Sequence, residues 1–373
     1  VKFEDYGIYT QVEQLNKTAL KSHGLDSNGQ LYKINSFEFY RYEDIIKKED
    51  DAGYDKTAFE KMLEIKGDSD HTKLIDMLTD LNDYSIGIED VLKEHFDEEN
   101  IVYWMAFQIL MGNVDTQNRN VYLYSPLNSD IWYFIAWDND GCLMRPEYEL
   151  RNFSDQNSWE KGISNYWGNI LFQRCLKSRS VREKLNDAIL DLREYLNKDM
   201  LTSKIESYKN VLKPYLYLMP DAEYEPLTSE QYDQIAASLP DEIEKNYQLY
   251  LESLETPMPF YIGVPSIDGD KLKFNWDVSY DLDAEDITYS VEVARDYLFQ
   301  DVIYQNTTLT VPESEMELPN AGQYFVRVRA TNTSGKTQDA FDYYVTDEGK
   351  HYGMKCFYIT EDSTVEEDNY EEG

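Results

Sequence analysis

Gly112-Asn113-Val114-Asp115-Thr116-Gln117-Asn118-Arg119-Asn120 is the stretch on which the reading of this chain turns, with Trp137-Asp138-Asn139-Asp140-Gly141 a short way downstream. Asp115 is followed, four residues intervening, by Asn120. Val121-Tyr122-Leu123-Tyr124 then reads as a strand, apolar and aromatic on both faces. Pro126, Asn128, Ser129 and Asp130 supply turn chemistry, and residues 131–137 make a second strand-like run that ends at Asp138. The pattern predicts a loop, an antiparallel hairpin, and a second Asp at the hairpin's exit. Antiparallel pairing sets the residue before the first strand beside the residue after the second, so Asp115, Asn120 and Asp138 are expected to converge.

That layout suits phosphoryl transfer. A loop Asp orients or deprotonates the attacking hydroxyl, while an Asn and a second Asp hold magnesium. Carboxylate and amide oxygens are hard donors, and magnesium takes one or two carboxylates beside phosphate oxygens. Asp140 lies two residues beyond Asp138, on the same side of an extended chain, and reads as a second or supporting ligand. Asp and Asn also serve turns and caps, so spacing alone leaves a purely structural role open.

Several further stretches sit around this core in a fixed order. They are Tyr6-Gly7-Ile8-Tyr9-Thr10-Gln11-Val12-Glu13-Gln14, Gly29-Gln30-Leu31-Tyr32-Lys33, and Tyr103-Trp104-Met105-Ala106-Phe107-Gln108-Ile109-Leu110. With the loop and hairpin, they closely resemble the CotH family, bacterial spore-coat and surface proteins with an atypical kinase fold. The resemblance covers roughly residues 1–255. It implies an ATP-dependent protein kinase acting on Ser or Thr of a protein substrate, with ATP and magnesium (or manganese) as cofactors. Asp115 would be catalytic, and Asn120, Asp138 and Asp140 metal ligands. Residues 8–14 alternate as a strand, whose end would place Glu13 and Gln14 at an adenine-carrying hinge; ordinary strand-end polar residues are the other reading. Arg119 would neutralise phosphate charge or pair with a neighbouring acid. Trp132 and Trp137 would stack on adenine and shape the pocket, or wedge the hairpin into the core.

A kinase small lobe supplies a phosphate-covering loop and a phosphate-binding Lys or Arg. Neither Gly-x-Gly-x-x-Gly nor Gly-x-x-x-x-Gly-Lys-Ser/Thr occurs. The expectation is an amino-terminally incomplete kinase domain, whose intact form would extend upstream by about a hundred residues. A second reading is a non-catalytic kinase-like scaffold used for adhesion at a surface. A third, resting only on acidity and tyrosines, is a calcium-dependent carbohydrate binder.

Composition narrows the classes. A net charge of −37 over 373 residues argues against nucleic acid and anionic membrane as partners and favours a basic substrate segment. No apolar run is long enough to span a bilayer. Three widely spaced cysteines give neither a disulfide framework nor zinc spacing, and four scattered histidines give no metal cluster. The 32 tyrosines suit contacts to a cell surface or to carbohydrate. With the resemblance, these features predict a bacterial protein at the cell surface, in the spore coat or secreted.

In chain order, helices are expected over 17–22, 57–64, 71–81, 88–95, 98–110, 170–175, 181–196, 204–212 and 229–254. Residues 29–34 read as a strand, 35–56 as a polar surface excursion, and 142–170 as irregular. Thr256-Pro257-Met258-Pro259 is a linker. Beyond it the period changes to two, at 272–276, 289–293 and 324–330. A Trp on an early strand and Tyr324-Phe325-Val326-Arg327-Val328-Arg329-Ala330 before Asn332-Thr333-Ser334-Gly335 resemble a fibronectin type III sandwich. Asp281, Asp283, Glu285 and Asp286 form an acidic loop without the calcium-loop spacing. Residues 354–359 are strand-like, and 366–372 read as a disordered acidic tail. The expected fold class is α+β: a protein-kinase-like fold over 1–255 with its small lobe truncated and a helical large lobe, an all-β fibronectin-like or immunoglobulin-like sandwich over 256–348, and a strand with tail over 349–373.

Overall fold

The computed structural model describes residues 5–151, 159–347 and 349–367. The chain divides into two compact units, one of residues 1–154 and 169–248, the other of 155–168 and 249–373. Each is described in turn.

In the first unit, α1 (Lys17–Ser22) starts at Asn16, whose side chain accepts from the amides of Thr18 and Ala19. β1 (Gln30–Ile34), α2 (Lys56–Met62), β2 (Leu63–Ile65), α3 (Thr72–Asn82), α4 (Ile88–His95) and α5 (Glu98–Met111) follow. β3 (Val121–Ser125) and β4 (Tyr133–Ala136) are the predicted hairpin. Then come α6 (Arg145–Leu150), α7 (Ile170–Lys177), α8 (Arg179–Tyr195), α9 (Lys198–Leu216), α10 (Ser229–Ser238) and α11 (Glu242–Leu254), within which the division between units falls.

The strands form one antiparallel sheet in the order β2-β1-β3-β4. β3 is buried along its whole length, which is why its sequence is apolar on both sides. One cluster gathers Leu20, Leu31, Tyr122 and Tyr124 with Leu15, Ile135 and Trp137. Elsewhere in the sheet, Phe134 meets the ring of Trp104 edge-on at 5.1 Å, and Trp104 stacks on Phe172 at 5.5 Å. α5 is apolar nearly all round because it is buried nearly all round. It ends at Gly112, which takes a left-handed φ of 60°. A Cβ there would also stand 2.7 Å from the Asn246 amide nitrogen, so glycine is required on both counts.

Three expectations fail here. Residues 8–14 form no strand; Tyr9 and Val12 are exposed, and the alternation faces no sheet among the described strands. Residues 35–56 are not a surface excursion, because Phe37, Phe39 and Ile46 are fully buried. Left-handed backbone at Phe39 and Tyr42 shapes that loop, and it leaves no periodicity to read. Residues 229–254 are not one helix. Pro240 has no amide to donate, and α10 and α11 are separated around it. α9 also runs further than expected at both ends, capped by Asn197.

His71 is wholly buried, its ring 4.2 Å from Phe59 and its Nδ1 2.7 Å from the Tyr32 hydroxyl. Burial holds its pKa below the ordinary 6.5, against the opposing pull of Glu49, Asp70 and Asp68. The unfolded chain therefore takes up this proton first, and stability is lost as pH falls below about 6.5. Urea midpoints measured from about pH 7 to pH 5 are expected to fall less steeply in His71→Gln than in the wild type. Equal slopes would contradict the assignment.

The second unit holds β5 (Ser266–Asp268), β6 (Lys271–Asn275), β7 (Ile287–Ala294), β8 (Val302–Leu309), β9 (Glu313–Glu317), β10 (Gly322–Asn332), β11 (Thr337–Asp339), β12 (Tyr343–Thr346), β13 (Gly349–Tyr352), β14 (Met354–Ile359) and β15 (Val365–Glu367). β15-β14-β10-β7-β8, with β11 on β10, make one antiparallel sheet, and β5-β6-β9 another. Leu272 and Phe274 of the small sheet share a core with Val291, Val293, Val326, Val328 and Phe357 of the large one. Two sheets closing over one apolar layer are consistent with a β-sandwich. Trp276 is buried and meets Tyr289 at 5.5 Å. The Tyr324 hydroxyl, near the start of β10, donates to the Asn320 carbonyl at 2.8 Å.

Residues 354–359 are a full partner of β10, from Gly322 opposite Ile359 to Arg327 opposite Met354. Glu366 and Glu367, expected in a disordered tail, lie in β15; residues 368–373 fall outside the described residues. The acidic loop is closed on itself. Asp281 Oδ1 accepts from the amides of Asp283 and Glu285, and its Oδ2 accepts from Asn332. No described helix is long and apolar enough to cross a membrane.

Candidate active site

The loop begins where α5 stops. Asn113 caps a single 3-10 turn, Val114–Thr116, which contains Asp115. Asn120 lies immediately before β3, and Val121 is paired with Ala136, so Trp137 and Asp138 leave β4 at the same end of the hairpin. Asn120 and Asp138 both adopt left-handed backbone, with φ of 59° and 51°. Asn and Asp tolerate this conformation best among residues with a Cβ, yet it still costs free energy, and such outliers gather at functional sites.

Around Asp115 the contacts are direct. Its Oδ1 is 2.7 Å from an Arg119 guanidinium nitrogen. Its Oδ2 and its own carbonyl accept from the Asn120 amide, at 2.7 and 3.1 Å. Arg119 therefore pairs with the neighbouring acid. Asp138 opens a second 3-10 turn, Asn139–Gly141, which packs against the loop; the chain is not extended here, so the expected alternation that set Asp140 on the same side as Asp138 does not apply. A Cβ on Gly141 would lie 2.6 Å from Asn113 Oδ1 and 3.7 Å from Asp115 Cβ. Asp138 and Asp140 are exposed at this edge.

The two tryptophans part company. Trp137 belongs to the cluster holding Tyr122, whose ring it meets edge-on at 5.3 Å, and Leu15. Glu13 is exposed, with its carboxylate 2.7 Å from His23, and Gln14 is exposed; with no strand over residues 8–14, the strand end expected to carry them as a hinge is absent. Trp132 is fully buried at the far end of the hairpin, four strand positions or about 13 Å from Ala136. It packs on Tyr32 at 6.0 Å, and its backbone amide donates to the His95 carbonyl at 2.8 Å. Trp132 therefore wedges the hairpin into the core.

Among the described residues, no three His, Cys, Asp or Glu side chains are gathered as a ready cage for a metal ion. The oxygens at the hairpin's end are nonetheless hard donors: two exposed carboxylates, Asp138 and Asp140, and the Oδ1 of Asn120, whose amide nitrogen is turned to Asp115. Magnesium keeps several waters and takes few protein ligands beside phosphate. An open set of this kind fits magnesium or manganese.

The sequence profile described as CotH kinase protein matches residues 1–250, well over half of the 373-residue chain. The chain belongs to the CotH kinase family. Among solved structures, the twitchin kinase region from C. elegans (Fn31-NL-kin-CRD-Ig26) is similar at 16% identity over 26% of this chain, with a TM-score of 0.19. That likeness is too slight to bear on the fold, and this chain spans 20% of the other's length. No curated protein matches.

Sequence reasoning missed the polar residues that tie the loop to the turn. Gln108, wholly buried in α5, accepts from the Asn113 amide at 3.0 Å and donates to Asn139 Oδ1 at 3.1 Å. Its signal was present: a single amide side chain within the apolar run from Ile101 to Met111. Cys142 is also inward, and burial pushes its thiol up to about 12 despite a hydrogen bond with Asn113. A raised thiol pKa disfavours the thiolate, the reactive form. Gly141 was passed over because its importance lies in close approach, which no local pattern records. Gly141→Ala must displace a buried, hydrogen-bonded Asn113. It is expected to cost about 1–3 kcal/mol in urea denaturation. An unchanged midpoint would show that the turn does not abut the loop.

Proposed function

We infer that this CotH protein has a kinase-like fold and transfers the γ-phosphoryl group of ATP to a Ser or Thr hydroxyl of a protein substrate. The observation that carries the reading is the meeting of Asp115, Asn120 and the Asp138–Gly141 turn at one end of the β3–β4 hairpin. Asp115 accepts or orients the hydroxyl proton. Arg119 and Asn120 each hold one of its oxygens, which fixes the plane of the carboxylate. Asn120 and Asp138 hold magnesium or manganese, with Asp140 in support. A bound cation of this kind neutralises phosphate charge as it moves between oxygens. Trp137, Glu13 and Gln14 offer the neighbouring face to the base of the nucleotide.

The net charge of −37 favours a basic substrate segment. The second unit is read as a fibronectin type III-like module, supported by the buried Trp276 and by the Tyr324 hydroxyl bonded back to Asn320. Membership of the family supports placement at a bacterial cell surface or spore coat. The test is transfer of labelled γ-phosphate to a basic Ser-containing peptide by the full chain. Label on the peptide that depends on Asp115 supports the reading. Nucleotide binding without transfer to any peptide or protein would favour a kinase-like scaffold instead.

A further inference from the structure

Three segments meet at two buried amides. Gln108 comes from the last turn of α5, Asn113 from the entry to the Asp115 loop, and Asn139 from the turn that carries Asp138 and Asp140. Gln108 is fully buried and Asn113 is 2% exposed. Gln108 uses both ends of its side chain: Oε1 accepts from Asn113 Nδ2 at 3.0 Å, and Nε2 donates to Asn139 Oδ1 at 3.1 Å. Asn113 Oδ1 in turn receives the amide of Asp115 at 3.4 Å and stands where a Cβ on Gly141 would be. An amide side chain is neutral and carries an acceptor and a donor at its two ends, so it can link two different segments. A buried amide with both ends engaged is costly to disturb, since each lost bond strands a polar group.

We propose that Gln108, Asn113 and Asn139 form an amide relay that sets the Asp138–Gly141 turn in register with Asp115, making Gln108 and Asn113 positioning residues for the cation site. The proposal rests on the assignment of that site to Asn120, Asp138 and Asp140. Just beyond the turn the chain is also held by the Leu143 amide, which donates to the Met111 carbonyl at 2.8 Å, and by Cys142, hydrogen-bonded to Asn113. Asp138 begins the turn in left-handed backbone without a side-chain cap, and both acids on it are exposed. The relay ties it to the longest buried element nearby. Outer hydrogen bonds of this kind tune metal affinity by about 10–100-fold.

Gln108→Met and Asn139→Ala test it. Gln108→Met keeps most of the buried volume and can neither accept from Asn113 nor donate to Asn139, so the turn is released from α5. Asn139 is exposed, and its replacement leaves the core intact. Mn2+ is titrated into the full chain in the presence of ATP and followed by electron paramagnetic resonance, with thermal unfolding recorded alongside. Each variant is expected to weaken Mn2+ binding by about 10-fold or more. The double variant is expected to lose no more than either single one, because both cut the same link. Wild-type binding with unchanged affinity in both variants, or losses that add, would overturn the relay. No Mn2+ binding by the wild type would instead overturn the cation-site assignment beneath it.

Discussion

Asp138→Asn is expected to lower phosphoryl transfer by at least about 10²-fold while leaving the fold intact. The substitution is chosen for its backbone. Asp138 sits at φ 51°, a conformation that Asn adopts as readily as Asp and that Ala does not. Asn also keeps the size and one oxygen of the side chain. What it removes is a full negative charge at the hairpin's exit, where the chain presents its exposed carboxylates. Phosphoryl transfer depends on positioning and charge neutralisation more than on covalent chemistry, so a metal ligand stripped of its charge falls on the rate. Steady-state kinetics beside a thermal melt check this. Full activity would remove Asp138 from the site, and a collapsed melt would make its role structural.

The second large effect is on stability. Arg145, at the start of α6, donates to Glu242 at 3.1 Å and also to Asn246 Oδ1. Glu242 is 1% exposed. Asn246 carries the link onward, donating 2.8 Å to the Leu110 carbonyl at the end of α5, beside Gly112. Arg145→Met keeps much of the packing volume and deletes the fork. Glu242 is then left with Lys245, whose side chain is half exposed, as its remaining ion-pair partner among the described residues. A buried carboxylate robbed of its main partner costs about 3 kcal/mol. At about 2–4 °C per kcal/mol for a unit of this size, the melting temperature falls by roughly 6–12 °C. Glu242→Gln with Arg145→Met is expected to recover part of the loss, since the stranded charge is then gone. A single variant that melts like the wild type would mean that this pair is not what holds α6 to α11.

How far the sequence could be read depended on whether the signal was local. The hairpin was legible because its turn residues and its buried strand are written in consecutive positions, and α5 because fourteen nearly unbroken apolar or capping residues admit little else. The placement of Asp115, Asn120 and Asp138 at one end of the hairpin was legible because antiparallel pairing brings sequence neighbours together. Residues 8–14 misled because alternation records a preference for a half-buried surface, and Tyr9 and Val12 have none to face among the described strands. Phe37 and Phe39 were hidden because a loop buried by distant partners has no period. Gln108, Asn113, Asn139 and Gly141 were missed for the same reason: their importance lies in contacts across 5 to 31 residues of sequence, visible only when α5 and the turn are set side by side. Pro240 was a local signal, and the helical pattern on either side of it outweighed the break.

The central claim is that the loop at Asp115 and the turn at Asp138 make one nucleotide and metal site. Calorimetric titration of the full chain with ATP and magnesium, wild type beside Asp138→Asn, tests it most directly. The expected result is saturable, magnesium-dependent binding by the wild type that is lost or weakened by at least about 10-fold in the variant. Equal binding by both proteins, or magnesium-independent binding, would contradict it.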